Sequence, residues 1–265
     1  MPLTEFQAEI FRIISANRNP ESYVAGGIVI NRDSASSRYS RDIDLFHDTA
    51  EALVRSVELD AEALLKAGYA VEFSMRQPLF YRADIARCGQ RITLEWAADS
   101  AFRFFPIVPD EVLGFRLHDA DAATNKVLAA AARDKVRDFI DLIHLDRTYV
   151  SMGVAIWAAA GKDDGYTPEL ILDQLRRHSR INPATIGGVK FARPADAVAL
   201  KRDWLECLQG AETLIATFPP ENLGCLYLDR NDRPVQGKIF DPSWKPHFGT
   251  VKGAWPAISN STRAF

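Results

Sequence analysis

The chain opens with apolar residues Phe6, Ile10, Ile13 and Ile14 at helical spacing. They follow Thr4, an N-cap type with Gln7 three positions on, which predicts an amphipathic helix that Asn17 to Pro20 ends. A short apolar run, Tyr23 to Ala25, meets the Gly26-Gly27 pair. Next come a short helix over Ile28 to Asn31, a polar loop rich in Ser and Arg, and a strand around Ile43. Asp48 or Thr49 caps a long helix that runs to Lys66 and stops at Gly68. A strand over Ala70 to Phe73 follows. Two alternating runs, Leu79 to Ala86 and Arg91 to Ala97, then read as a hairpin turning at Cys88 to Gln90.

From Asp119 the period changes to helical. Val127, Leu128 and Ala131 form one apolar stripe, and Val136, Phe139, Ile140 and Ile143 form another. Thr167-Pro168 starts a helix reaching His178, and Pro194 to Phe218 reads as one more. Cys225 to Val235 is expected as a small hairpin turning at Asn231-Asp232, before an irregular Pro- and Gly-rich end. The pattern predicts an α+β fold: a mixed sheet with flanking helices over 1–118, a helical part over 119–218, and a hairpin with an irregular tail over 219–265.

One strand breaks the apolar pattern in a specific way. In "DIDLF", Asp42 and Asp44 fall on one face while Ile43 and Leu45 fall on the other, because strand side chains alternate. At about 4 Å, two such charges repel by roughly 4 kcal/mol at an effective dielectric of ~20. That repulsion calls for a nearby cation, and a divalent metal is the simplest. On the second hairpin arm Arg91, Thr93 and Glu95 share a face. Glu95 therefore joins the aspartates if the two strands are sheet neighbours, with Asp84 and Asp99 as rivals for a third carboxylate. A glycine pair opening a helix offers bare N–H groups to phosphate, Ser40 stands just before the acidic strand, and Lys126 lies on a later helix. Carboxylates for metal, N–H groups for phosphate and a cation for the leaving group are what phosphoryl and nucleotidyl transfer require.

Composition narrows this further. The chain has 265 residues, 47% of them hydrophobic and 25% charged, an ordinary globular composition. Its longest nearly apolar run, around Val150 to Ala160, is too short for a bilayer, which needs about 20 residues. The first residues lack the basic start and apolar block of a targeting signal, so a cytoplasmic protein without a membrane segment is expected. Cys88, Cys207 and Cys225 are scattered and the five histidines have no ligand spacing, so neither disulfides nor a zinc site is indicated. A net charge of −3 excludes a chain-wide basic coat. A local patch remains around Arg176, Arg177, Arg180, Lys190 and Arg193, with Arg176 and Arg180 at i, i+4 spacing. Arg32, Arg38 and Arg41 also crowd just before the aspartates.

The stretch "GGIVINRDSASSRYSRDIDLF" resembles the GG…S-x-D-h-D signature (h apolar) of nucleotidyltransferases related to DNA polymerase β. "ATNKVLAAAARDKVRDFIDLIHL" resembles the Lys-containing and Arg-Asp-h-h-Asp segments of one branch, the AbiEii/AbiGii-type toxin nucleotidyltransferases. The resemblance spans roughly Ser22 to Leu145. It implies that Asp42 and Asp44, with Glu95, hold Mg²⁺ and that Gly26, Gly27 and Ser40 hold the triphosphate of a nucleoside triphosphate. It further implies that Lys126 contacts the phosphates and that Asp138, or else Asp141, orients Lys126 or the acceptor. For partners it implies an RNA acceptor, with a tRNA 3′ end favoured, and a cognate antitoxin protein. The competing readings are transfer to a protein or small-molecule hydroxyl, and nucleotide binding without catalysis.

Overall fold

The computed structural model describes residues 3–33, 36, 38–178 and 180–256, and one mixed sheet organises it. Helix α1 (Glu5–Ile14) carries a reciprocal cap: the Gln7 N–H donates to the Thr4 hydroxyl, and the Thr4 N–H donates to the Gln7 side chain. Two donors that the helix cannot satisfy internally are thus met at once. Strand β1 (Ser22–Ala25) is buried along its length and runs directly into the short helix α2 (Gly26–Ile30). Strand β2 (Asp42–His47) returns antiparallel beside it. Of the two cap candidates for α3 (Ala50–Lys66), Thr49 does the capping, accepting from the Ala52 N–H. Asp48 instead pairs with Arg103.

Strands β3 (Ala70–Gln77), β4 (Phe80–Arg87) and β5 (Gln90–Ala98) form a meander. The expected hairpin turns on Cys88 and Gly89, at φ of 51° and 77°, the left-handed pair that matches the twist of the flanking strands. After β6 (Phe102–Arg103), β7 (Val108–Asp110) and β8 (Gly114–Arg116) complete a seven-stranded sheet of order β3-β4-β5-β2-β1-β8-β7. Neighbours β2 and β5 run parallel, as do β1 and β8, and the other pairs are antiparallel. The rear face of β2 and β5 buries Ile43, Leu45, Leu94 and Trp96 beneath α3. Each such side chain contributes on the order of 1.5–3 kcal/mol. The front face is polar.

The Ala-rich run breaks at 133–135 into α4 (Asp119–Ala132) and α5 (Val136–Thr148). Every residue of α6 (Met152–Ala159) is buried, as expected of a helix apolar all round, and it packs on α4 and α9. Then come α7 (Pro168–His178), α8 (Pro183–Ile186) and α9 (Ala197–Ile215). Helix α9 begins later than Pro194 because Asp196 caps it, accepting from the Val198 and Ala199 N–H groups.

The chain turns back within Cys225–Val235 as expected: the Asp229 N–H donates to the Arg233 carbonyl, the Val235 N–H donates to the Tyr227 carbonyl, and Leu228 bridges Pro234 antiparallel. Asp229 closes the turn by accepting from the Asn231 and Arg233 N–H groups, and Pro234, which has no N–H, keeps the returning arm short. Strand β9 (Leu226–Leu228) also pairs with β10 (Lys245–His247), which the sequence did not indicate. The chain end is less irregular than expected: β11 (Thr250–Val251) pairs with β6, and Trp255 packs against Phe105 and His118. Positions 257–265 of that expected tail, and Ser34, Ala35 and Ser37 of the polar loop, lie outside the described residues. The α+β architecture with a mixed sheet is the one observed. Among the described residues no helix is long and apolar enough to cross a membrane.

Candidate active site

The parallel register of β2 and β5 sets Asp44 opposite Glu95 and Asp42 opposite Thr93, while β1 sets Ala25 opposite Asp44. The three carboxylates Asp42, Asp44 and Glu95 therefore share the front face, as the alternation in the sequence requires. The rivals stand elsewhere. Asp84 lies in the row of Thr93 and is occupied by the Thr93 hydroxyl and Arg91. Asp99 follows the far end of β5, where its carboxylate accepts from the Ser100 N–H.

Gly26 makes the close approach possible. Its φ is +64°, and a Cβ there would lie 1.8 Å from Asp44 Oδ2, so only glycine lets α2 begin against this carboxylate. At Gly27 a Cβ would come within 2.9 Å of Ser40 Oγ and 3.1 Å of Arg38 Nη2. Ser40 donates to the Asp42 carbonyl at 3.0 Å, and its own carbonyl accepts from Gln7 Nε2 at 3.0 Å, so α1 fixes the loop that enters β2.

Asp44 is partly buried, and among the described residues no side chain donates to it. Burial, reinforced by the charges of Glu95 and Asp42 against the pull of Lys126, pushes its carboxyl up to about 6. Its neighbours have guanidinium partners. Arg137 Nη1 is 2.8 Å from Asp42 Oδ2, and Arg82 is 2.7 Å from Glu95 Oε1.

Lys126, on α4, is buried and bonded across to α5: 2.9 Å to Asp138 Oδ1 and 3.1 Å to Asp141 Oδ2. Burial opposes its charge, but Asp141 and Asp138 outweigh burial and hold its pKa above the usual lysine value. Both late aspartates therefore touch the lysine, and both are fully buried. Arg38, also buried, donates to Asp141 through Nε at 2.7 Å and Nη2 at 2.5 Å, and Asn31 Nδ2 adds a bond of 2.9 Å. Burial alone would raise the carboxyls of Asp138 and Asp141. The cations around them, Lys126 and Arg133 for Asp138 and Arg38 and Lys126 for Asp141, hold both below the usual range.

A cleft of about 930 Å³ opens in front of Asp42 and Glu95. Eight of its charged lining residues are Lys or Arg and three are Asp or Glu, a local reversal of the net charge of −3. The patch expected near Arg176 does not form as drawn: α7 ends at His178, ahead of Arg180. Arg176 pairs with Glu212, Arg177 with Asp173 and Arg180 with Asp134. Of that group Lys190 reaches the cleft, lying over the Tyr39 ring at 5.2 Å.

No protein-family model and no curated protein matches the chain. Among solved structures, MenT4, a nucleotidyltransferase toxin from Mycobacterium tuberculosis H37Rv, aligns at a TM-score of 0.57 and 15% identity, over 82% of this chain and 83% of that one. The chain has a nucleotidyltransferase fold. JHP933 from Helicobacter pylori aligns at a TM-score of 0.47 and 15% identity, over 79% of this chain and 95% of that one.

Within this nucleotidyltransferase fold the acidic face offers oxygen donors alone, the set suited to a hard divalent cation such as Mg²⁺. Asp44 is pushed up partly by its acidic neighbours, so a cation there would relieve a repulsion already present. Among the described residues no three His, Cys, Asp or Glu side chains form a preassembled metal cage. Two of the three front-face carboxylates are instead in ion pairs, Asp42 with Arg137 and Glu95 with Arg82. Arg38, Arg82 and Arg137 are the site residues to which the sequence pattern gave no role. The crowding of arginines before the aspartates was the signal for Arg38, and the Arg-Asp-h-h-Asp run contained Arg137.

Proposed function

We propose that the chain is a magnesium-dependent nucleotidyltransferase. It would transfer a nucleoside monophosphate from a nucleoside triphosphate to an acceptor hydroxyl of RNA, such as a tRNA 3′ end, and act in the cytoplasm as the toxin of a toxin–antitoxin pair. The observation that carries this reading is Asp44: a carboxylate set between Glu95 and the glycine pair, with no donor among the described residues and a pKa raised to about 6. Asp42, Asp44 and Glu95 are the residues that would hold Mg²⁺. Bound there, the ion supplies charge neutralisation for the triphosphate and a lowered pKa for the acceptor hydroxyl.

The remaining work falls to the chain's own groups. Gly26 and Gly27 would offer backbone N–H groups to phosphate where α2 begins against Asp44, and Ser40 fixes the loop that borders them. Lys126 is kept charged by Asp138 and Asp141, so it meets the phosphates as a full cation, while the two aspartates set its position. The acceptor oxygen attacks the α-phosphorus, the bond to the β-phosphate oxygen breaks and pyrophosphate leaves. Glu95, opposite Asp44 in the register, would assist in removing the acceptor's proton. Positive groups fixed before the reaction stabilise the charge gathering on the phosphoryl oxygens, and each is worth about 10²-fold or more in rate.

The cleft's excess of basic residues supports a polyanionic acceptor. A cationic small-molecule acceptor would meet like charge there. The test is incubation with labelled nucleoside triphosphates, magnesium and total RNA, wild type beside Asp44→Ala. Label in RNA with the wild type alone is the expected result. Label running with protein or a small solute, or no transfer by either chain, overturns the RNA assignment. Growth arrest on expressing the wild type, but not Asp44→Ala, is expected of a toxin.

A further inference from the structure

Asp42 is held by a cationic side chain from another part of the fold. Arg137 comes from the first turn of α5, one residue before Asp138, and its Nη1 donates to Asp42 Oδ2 at 2.8 Å. Both side chains are partly open, 31% exposed for Arg137 and 18% for Asp42, and both line the cleft. Three basic groups beside it are tied to buried carboxylates: Lys126 to Asp138 and Asp141, Arg133 to Asp138, Arg38 to Asp141. Among the described residues Arg137 makes its ion pair with the partly open Asp42 and with no fully buried carboxylate. It also lies within electrostatic reach of Asp44 and Asp138.

A carboxylate oxygen that accepts from a guanidinium has that lone pair occupied, and a cation bound to it would sit against another positive charge. Arg137 and a divalent cation therefore compete for Asp42. A guanidinium released from Asp42 stays on the rigid start of α5 at the cleft wall. Its planar fork matches phosphate oxygens better than a point charge does.

We propose that Arg137 is an exchangeable substrate-binding residue: it occupies Asp42 before loading, and on loading it passes to the polyphosphate of the nucleotide. This rests on the reading of Asp42, Asp44 and Glu95 as the metal-holding residues. Arg137 then disfavours the metal alone and favours metal and triphosphate together, so the acidic face is neutralised in both states.

The test is titration of the full chain with Mn²⁺, with free Mn²⁺ followed by EPR, for wild type, Arg137→Ala, Arg137→Lys and Asp44→Asn. A second titration uses a non-hydrolysable nucleoside triphosphate analogue at saturating Mn²⁺. The expected signature is opposite in sign: Arg137→Ala binds Mn²⁺ alone about tenfold more tightly and the analogue about tenfold more weakly. Arg137→Lys, which keeps the charge and loses the fork, should lose part of the analogue affinity, and it carries the test if the alanine variant does not fold. Analogue affinity equal to wild type in both variants overturns the exchange, as does a fall in both affinities together. If Asp44→Asn retains wild-type Mn²⁺ binding, the metal reading fails and the exchange fails with it. If Asp44→Asn loses Mn²⁺ while the Arg137 variants lack the opposed signs, only the exchange fails.

Discussion

Asp60 and Asp44 lie on opposite sides of the same sheet. Behind it, Asp60 is fully buried and accepts from Arg18 at 2.6 Å, Asn17 at 2.8 Å, Trp96 at 2.9 Å and Ser56 at 3.3 Å. In front, Asp44 has no donor among the described residues, two acidic neighbours and a carboxyl pushed up to about 6. A buried charge is tolerated in a fold when it is paired and hydrogen-bonded. Asp60 meets that condition within the chain and so serves the structure. Asp44 does not, which leaves its requirement to be met by something that binds. The same division separates the arginines: Arg18 and Arg38 are enclosed with their carboxylates, whereas Arg137 and Arg82 meet theirs at the cleft surface.

The contrast is sharpest in a pair of substitutions with opposite consequences. Asp44→Ala should lower the initial rate of nucleotide transfer by about 10³-fold while urea denaturation shows stability equal to or above wild type. Asp60→Ala should cost about 3–5 kcal/mol in the same denaturation, because Arg18 is left charged and unpaired in the core, with transfer per folded molecule unchanged. Equal destabilisation by the two would remove the distinction. Next in size is Gly26→Ala, whose Cβ would meet Asp44 Oδ2 at 1.8 Å in a backbone with φ of +64°. Either the carboxylate or the start of α2 must move, so transfer should fall about 10²-fold with a loss of about 1–3 kcal/mol. Near-normal activity in this variant would show that the Asp44 position is not critical.

Much of this front face was legible in the sequence because it follows from local rules. Strand alternation put Asp42, Asp44 and Glu95 on one face, and the register of β2 and β5 makes them neighbours. The glycine pair was legible as a backbone need, and the Thr4–Gln7 cap as a short-range pattern. Contacts that join distant segments were not legible. Arg38 reaches Asp141 and Arg137 reaches Asp42 only after α5 docks against α2 and α4, and no spacing rule specifies such a pairing. The same limit explains β10, a distant second neighbour of β9 beside the nearer returning arm that meets it at Leu228 and Pro234.

The smallest effect is a pH dependence that separates the two aspartates in solution. Asp44 titrates at about 6 in the fold and near 3.9 in an unfolded chain. The protonated form is therefore the one the fold favours. The stability this contributes is fully present below about pH 4 and is lost as pH rises through about 6. Asp138 and Asp141 are shifted the other way, but they are common to wild type and Asp44→Asn and cancel in the difference. Urea midpoints measured from pH 4 to 7.5 should therefore favour Asp44→Asn increasingly up to about pH 6.5 and then level. The gap should amount to no more than about 2 kcal/mol once solvent screening of a partly open group is allowed for. Adding Mg²⁺ should narrow it, since a bound cation favours the ionised carboxylate. Midpoints that run parallel over the whole range would mean that Asp44 is as well satisfied by the fold as Asp60, and the front of the sheet would lose its claim to need a cation.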